Sequence, residues 1–245
     1  MNPPVLLVVA HGSRDPRHAA TVHALVRRAR SLRPGLRVET AFLDFNLPSV
    51  PGVLDRLAAE GVREVVALPL LLTRAFHAKA DIPAVLRQAP PSLNVRQAEV
   101  LGPSPLLVAA VERRLYEAGL TPGDRSATGV VLASAGSTDP EAIAVIAETA
   151  RELRRTGWCS VRPAFASASL PRTEDAVRAL RADGVRRVAV APYVIAPGRL
   201  PDRIAAGAAE ADVLADVLGP SPELARLLIT RYEEARIDKA LAAVS

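Results

Sequence analysis

The sequence predicts two α/β lobes, each a four-stranded parallel sheet flanked by helices, related by internal duplication. Three observations carry this. The chain has 245 residues, 49% hydrophobic and 23% charged, enough to bury a real core and unlike a disordered or collagen-like polymer. Apolar runs of strand length alternate with stretches of helix length, the pattern of right-handed βαβ units and parallel sheets. The second half of the chain also repeats the first.

The repeat is read residue by residue. Residues 5–16 are VLLVVAHGSRDP and residues 129–140 are GVVLASAGSTDP. Gly12/Gly136, Ser13/Ser137, Asp15/Asp139 and Pro16/Pro140 share one offset. At an offset one residue shorter, Leu47-Pro48 answers Leu170-Pro171, Gly61-Val62 answers Gly184-Val185, and Pro69 answers Pro192. Gly102-Pro103-Ser104-Pro105 answers Gly219-Pro220-Ser221-Pro222. The order is kept while the offset drifts, as after a duplication with small insertions and deletions.

Each element has a local cause. Val5–Ala10 is a continuous apolar run, expected of a strand covered on both faces. Asp15-Pro16 opens a helix running to about Ser31, because Asp caps well and Pro at the first position loses no bond. A strand near Arg37–Leu43 follows, then a helix from about Val50 to Glu60, ended by Gly61. Val62–Leu70 contains a strand, Ala80–Gln88 a helix, Val95–Val100 a short strand and Pro105–Ala118 a helix. The second copy repeats the scheme, with strands near Val130–Ala133, Ser160–Ala166, Val185–Ala191 and Val213–Val217. The expected division is a lobe at 1–120, a linker at 121–128 and a lobe at 129–245, with Thr121-Pro122-Gly123-Asp124 marking the linker.

Composition narrows the function. Aromatics are 3%, which counts against a base-stacking nucleic-acid platform. Arginine is scattered, with no basic tail, so nucleic acid is not an expected partner. No apolar run approaches the roughly 20 residues of a membrane span. Met1-Asn2-Pro3-Pro4 lacks the basic start of a secretory signal. Cys159 is the single cysteine, which leaves no internal disulfide. The expectation is a cytoplasmic protein, monomer or homodimer. The formal charge of +5 comes almost wholly from arginine. Codon bias is one reading of it; the other is a carboxylate or phosphate partner, which Arg forks suit.

In an open parallel sheet, ligands bind beyond the carboxyl ends of the strands. After the first strand comes His11-Gly12-Ser13-Arg14-Asp15-Pro16, without the glycines of a dinucleotide fingerprint or a P-loop lysine. After the third comes Thr73-Arg74-Ala75-Phe76-His77-Ala78-Lys79. Two imidazoles at strand ends of one sheet can converge on a divalent metal. Asp44, at the end of the second strand, is a third ligand, an orienter of one histidine, or a turn residue. Ser13, Arg14, Arg74 and Lys79 flank these positions as candidate substrate contacts. The second copy has Ala135 where the first has His11, and no histidine near Pro197-Gly198-Arg199. It offers Arg199, Arg203 or Arg172 to a substrate instead. His18 and His23 lie inside the first helix and read as surface or packing residues.

Val9-Ala10-His11-Gly12-Ser13-Arg14, Phe42-Leu43-Asp44, and Pro69-Leu70-Leu71-Leu72 followed by His77-Ala78-Lys79 and Asp81-Ile82-Pro83 resemble the sirohydrochlorin chelatases, class II chelatases of sirohaem and cobalamin biosynthesis. The long form of that family is also a tandem duplication. The resemblance implies two flavodoxin-like lobes and a tetrapyrrole substrate, with active-site histidines at His11 and His77. Its acidic position, often Glu, falls on Asp44, one methylene shorter. Arg74-Ala75-Phe76 is bulkier than the small residues expected there. The implied reaction places Fe2+, or Co2+ as runner-up, in sirohydrochlorin. The metal is a substrate and no permanent cofactor is needed. The eight carboxylates of that ring suit an Arg-rich protein. A tetrapyrrole or metal carrier without turnover, and a nucleotide-binding α/β protein, are the alternatives.

Overall fold

The structure, a computed structural model, describes residues 3–74 and 77–242, with the side chains of His77 and of 238–242 outside the description. Two compact units make up the chain: Met1–Gly102 with Pro222–Ser245, and Pro103–Ser221.

In the first unit, β1 (Val5–Ala10), β2 (Val38–Phe42), β3 (Glu64–Pro69) and β4 (Asn94–Gln97) form a parallel sheet in the order β2-β1-β3-β4. All six residues of β1 are buried, as a central strand covered on both faces requires. Val5, Leu7 and Val9 alternate onto one face. There they share a core with Val50, Val53, Leu54 and Leu57 of α2 (Val50–Ala59) and Ile82 and Leu86 of α3 (Ile82–Leu86). Helix α1 (Pro16–Leu32) starts where the sequence places it: the Asp15 carboxylate accepts from Arg17 N at 2.9 Å, with Pro16 at the first position. The chain leaves β1 to one side for β2 and to the other for β3. The carboxyl end of β1 is therefore the topological switch point of the sheet.

The second unit repeats this plan with β5 (Thr128–Ser134), β6 (Ser160–Phe165), β7 (Arg187–Tyr193) and β8 (Val213–Leu214), in the order β6-β5-β7-β8. Its helices are α4 (Pro105–Glu117), α5 (Pro140–Arg155), α6 (Thr173–Ala182) and α7 (Arg199–Gly207). The fold class read from the sequence is the one observed.

Four details differ from the sequence reading. The last helix of each repeat is exchanged in space. α4 packs on α5 and β7 of the second unit, whereas α8 (Pro222–Ala242) packs on α1 and β3 of the first. Tyr232 on α8 is fully buried and its hydroxyl donates to Pro4 O at 2.7 Å. Arg231 likewise donates to Val100 O at 2.9 Å and Leu101 O at 3.0 Å. The lobes expected at 1–120 and 129–245 thus follow the repeat, while the compact units cut across it. The segment 121–128 is a 3-10 turn, Pro122–Ala127, running into β5. The Asp124 carboxylate accepts from Arg187 at 2.6 Å, and Arg125 donates to Thr156 O at 3.0 Å and the Tyr116 hydroxyl at 2.7 Å. It is tied down, not a free linker. The helix expected at Ala80–Gln88 begins earlier, as a π turn over His77–Asp81. β8 keeps only two residues of the expected 213–217.

Candidate active site

The site is built on the turn that follows β1. Gly12 has φ +95, and a Cβ there would stand 1.9 Å from the carbonyl oxygen of Asp44. Only glycine permits both the left-handed backbone and that approach. The contact locks the turn to the end of β2: Asp44 N donates to His11 O at 2.9 Å, and Ser13 N donates to the Asn46 side chain at 2.8 Å. The Ser13 hydroxyl accepts from Asp15 N at 3.1 Å, so it first serves the start of α1. Gly136 repeats the device against Ser167 O, again at 1.9 Å. The scaffold is therefore duplicated, and only its side chains differ.

His11 projects half-buried from the switch point. Its Nδ1 lies 3.3 Å from Gly12 O. Its ring stacks on Phe45, centroids 6.2 Å apart and planes 20° from parallel, and the Arg14 guanidinium lies 5.3 Å from the centre of the same Phe45 ring. Phe45 has φ 61 and is 50% exposed. Sequence reasoning missed it, because Ala41-Phe42-Leu43-Asp44-Phe45 reads as the end of an apolar strand. Its counterpart in the second copy, at the same φ of 61, is Ala168.

The other candidates fall as follows. Asp44 is exposed, and one of its carboxylate oxygens accepts from Phe45 N at 2.8 Å. Arg74 is exposed and pairs with Glu99 at 3.5 Å. Lys79 is exposed on the π turn that His77 begins. That turn follows β3, the other strand flanking the switch point, but the His77 side chain and residues 75–76 lie outside the description. Among the described residues no three His, Cys, Asp or Glu side chains gather as a metal set. Arg199 begins α7 in the second unit and is exposed.

His18 and His23 part company. His23 packs edge-on against Phe42, centroids 5.7 Å apart, as a helix-packing residue should. His18 is half-buried in the first turn of α1, and its Nδ1 is shut from solvent without a hydrogen-bond partner among the described residues. Burial, then the charge of nearby His11, hold its imidazole below the usual range, against the opposing pull of Asp15.

The comparisons with known proteins bear on this geometry. The CbiX family profile matches residues 5–118 and again 129–235. The chain belongs to the CbiX family. This CbiX chain is 28% identical over 244 residues to the sirohydrochlorin cobaltochelatase of Priestia megaterium, covering 94% of this chain and 79% of that one. It is 26% identical over 233 residues to the sirohydrochlorin ferrochelatase of the same organism, covering 91% and 87%. Among solved structures, SirB from Bacillus subtilis with Fe3+ superposes with a TM-score of 0.81 at 24% identity over 95% of both chains. CbiX, described as the terminal enzyme of sirohaem biosynthesis in denitrifying bacteria, superposes with a TM-score of 0.71 at 21% identity over 94% of this chain and 99% of that one. The two matched segments are the duplicated copies, and the likeness to the solved structures is one of fold. Among the described residues no helix is long and apolar enough to cross a membrane.

Proposed function

We propose that this CbiX chain inserts Fe2+ into sirohydrochlorin, with His11 and His77 as the ligands that take the ion from water. The reading rests on the family and on one observation: the switch point of the first sheet carries an imidazole, braced by Phe45, where the second carries Ala135. The relatives that match along nine-tenths of the chain are named for cobalt and for iron, so both metals belong in the test.

The chemistry follows from the parts. Insertion joins one divalent ion to the ring and releases two pyrrole protons. Neutral imidazole binds borderline divalent ions and accepts protons near neutrality. His11 and His77 together hold the ion over one face of the ring, and one of them takes a pyrrole proton. The Asp44 carboxylate adds a third ligand or steadies a histidine. Ser13, Arg14, Arg74, Lys79 and Arg199 contact the substrate, the cations among them meeting its carboxylates. The reading takes the reaction to run in the cytoplasm.

The test is an insertion assay with sirohydrochlorin and excess Fe2+, Co2+ or Ni2+ side by side, followed by absorbance. Many turnovers, fastest with Fe2+, are expected. Fastest turnover with Co2+ would assign the chain to cobalt. Tight binding of sirohydrochlorin without turnover of any metal would make it a carrier and overturn the proposal.

A further inference from the structure

The second unit holds a cavity of about 480 Å3, lined among others by Phe165, Ala166, Arg172, Glu174, Arg203 and Gly207. It lies where β6 ends and α6 begins, the ligand-bearing end of a parallel sheet. Its two guanidiniums hang from adjacent backbone carbonyls. Arg172 Nη1 donates to Phe165 O at 3.4 Å and Arg203 Nη1 donates to Ala166 O at 3.1 Å. A guanidinium has five N–H donors, so most remain uncommitted. Other arginines of this unit are neutralised within it: Arg162 by Asp183, Arg178 by Asp175, Arg181 by Asp212, Arg187 by Asp124. Arg172 N donates to the Asp175 carboxylate at 3.2 Å, but among the described residues neither the Arg172 nor the Arg203 guanidinium is paired with a carboxylate. Glu174 is the one acidic side chain in the wall, exposed and on the Gly207 side, which leaves a net positive charge.

Arg172 also breaks a local rule. It is the N-cap of α6 and makes no side-chain cap bond. At the matching position of the first copy, Ser49 caps α2 by accepting from Gly52 N at 3.3 Å. Arginine has no acceptor to offer, and its charge sits at the positive end of the helix. Asp175 still accepts from the N-cap backbone, so the start of α6 forgoes only the bond that Ser49 supplies to α2, and an arginine there suits a role other than capping.

We propose that this cavity is a carboxylate-binding site, with Arg172 and Arg203 each donating to the bound group. A volume of about 480 Å3 suits a carboxylated arm or a small free polycarboxylate. Two sources share the chemistry: an acetate or propionate arm of sirohydrochlorin, in which case the inference rests on the function proposed above, or a free metabolite-sized acid.

The test compares wild type with Arg172→Ser, Arg203→Gln and the double variant, without metal. Arg151→Gln, on the exposed and acid-paired face of α5, is the charge-matched control. One arm reads the rise in Tm with citrate, the other the affinity for sirohydrochlorin by absorbance titration. Weaker binding of both ligands in the double variant, about tenfold or more for the loss of charge-assisted bonds, assigns the cavity to a substrate arm. Loss of the citrate effect alone assigns it to a free acid. Unchanged response to both ligands in the double variant overturns the proposal. Ligand-free Arg172→Ser should melt higher than wild type, because it restores the Ser49 cap. A lower Tm would make Arg172 a structural residue and overturn its role here. Both arms read binding, so a chain that fails to insert metal still decides the matter.

Discussion

At the residue scale, His11 matters through what surrounds it. Phe45 stacks on its ring and Arg14 sits by the same Phe45 ring, so Phe45 braces the plane of the imidazole that the proposed function makes a ligand. Such aromatic contacts contribute about 0.5–1.5 kcal/mol. Phe45→Ala should slow insertion up to about tenfold, while Phe45→Tyr stays close to wild type; equal rates for Ala and Tyr would contradict a stacking role. His18 gives a pH signature of its own. Burial holds its imidazole low, so the folded chain resists protonating it. The stability it contributes is whole above the unfolded imidazole value of about 6.5 and is lost as pH falls through the lower folded value. His18→Gln should therefore lose less Tm than wild type between pH 7 and pH 5, measured by thermal melts in matched buffers. The sequence showed both histidines but not their difference. A five-residue spacing on one helix says which side each faces, not that one ring would lack a partner.

At the element scale, the turn after β1, which carries the candidate site, closes on the end of β2 because glycine allows the approach. Gly12→Ala should cost roughly 1–3 kcal/mol from the backbone conformation alone, with more from the clash against Asp44 O. Urea denaturation reads the loss, and insertion should fall with it because His11 moves. Full stability would mean the turn has room for a side chain. Most elements were legible because their causes are local: the apolar run of β1, the Asp15-Pro16 start of α1, Gly61 after α2. Phe45 was not. A bulky residue at positive φ carries no sequence signal, since the conformation is imposed by the neighbouring Gly12–Asp44 contact. The π turn at His77 was hidden too, because π and α turns share their residue preferences.

At the scale of the whole molecule, duplication explains both what could be read and what could not. Matching residues gave the copies and their sheets, and the asymmetry of His11 and Ala135 is the ground on which the proposed metal chemistry is put in one copy. The exchange of α4 and α8 was illegible. Both helices follow the same Gly-Pro-Ser-Pro start, and which sheet each covers is a choice among distant partners. In the proposed function and the further inference the same asymmetry divides the roles: imidazoles from one copy, and from the other the Arg172 and Arg203 guanidiniums, which have no carboxylate partner among the described residues. The most direct test of the central claim is the rate of Fe2+ insertion into sirohydrochlorin by His11→Ala and His77→Ala, each checked for wild-type circular dichroism. Both should lose insertion by about a thousandfold or more, the scale for removing a ligand and proton acceptor together. A wild-type rate in either variant would contradict the account.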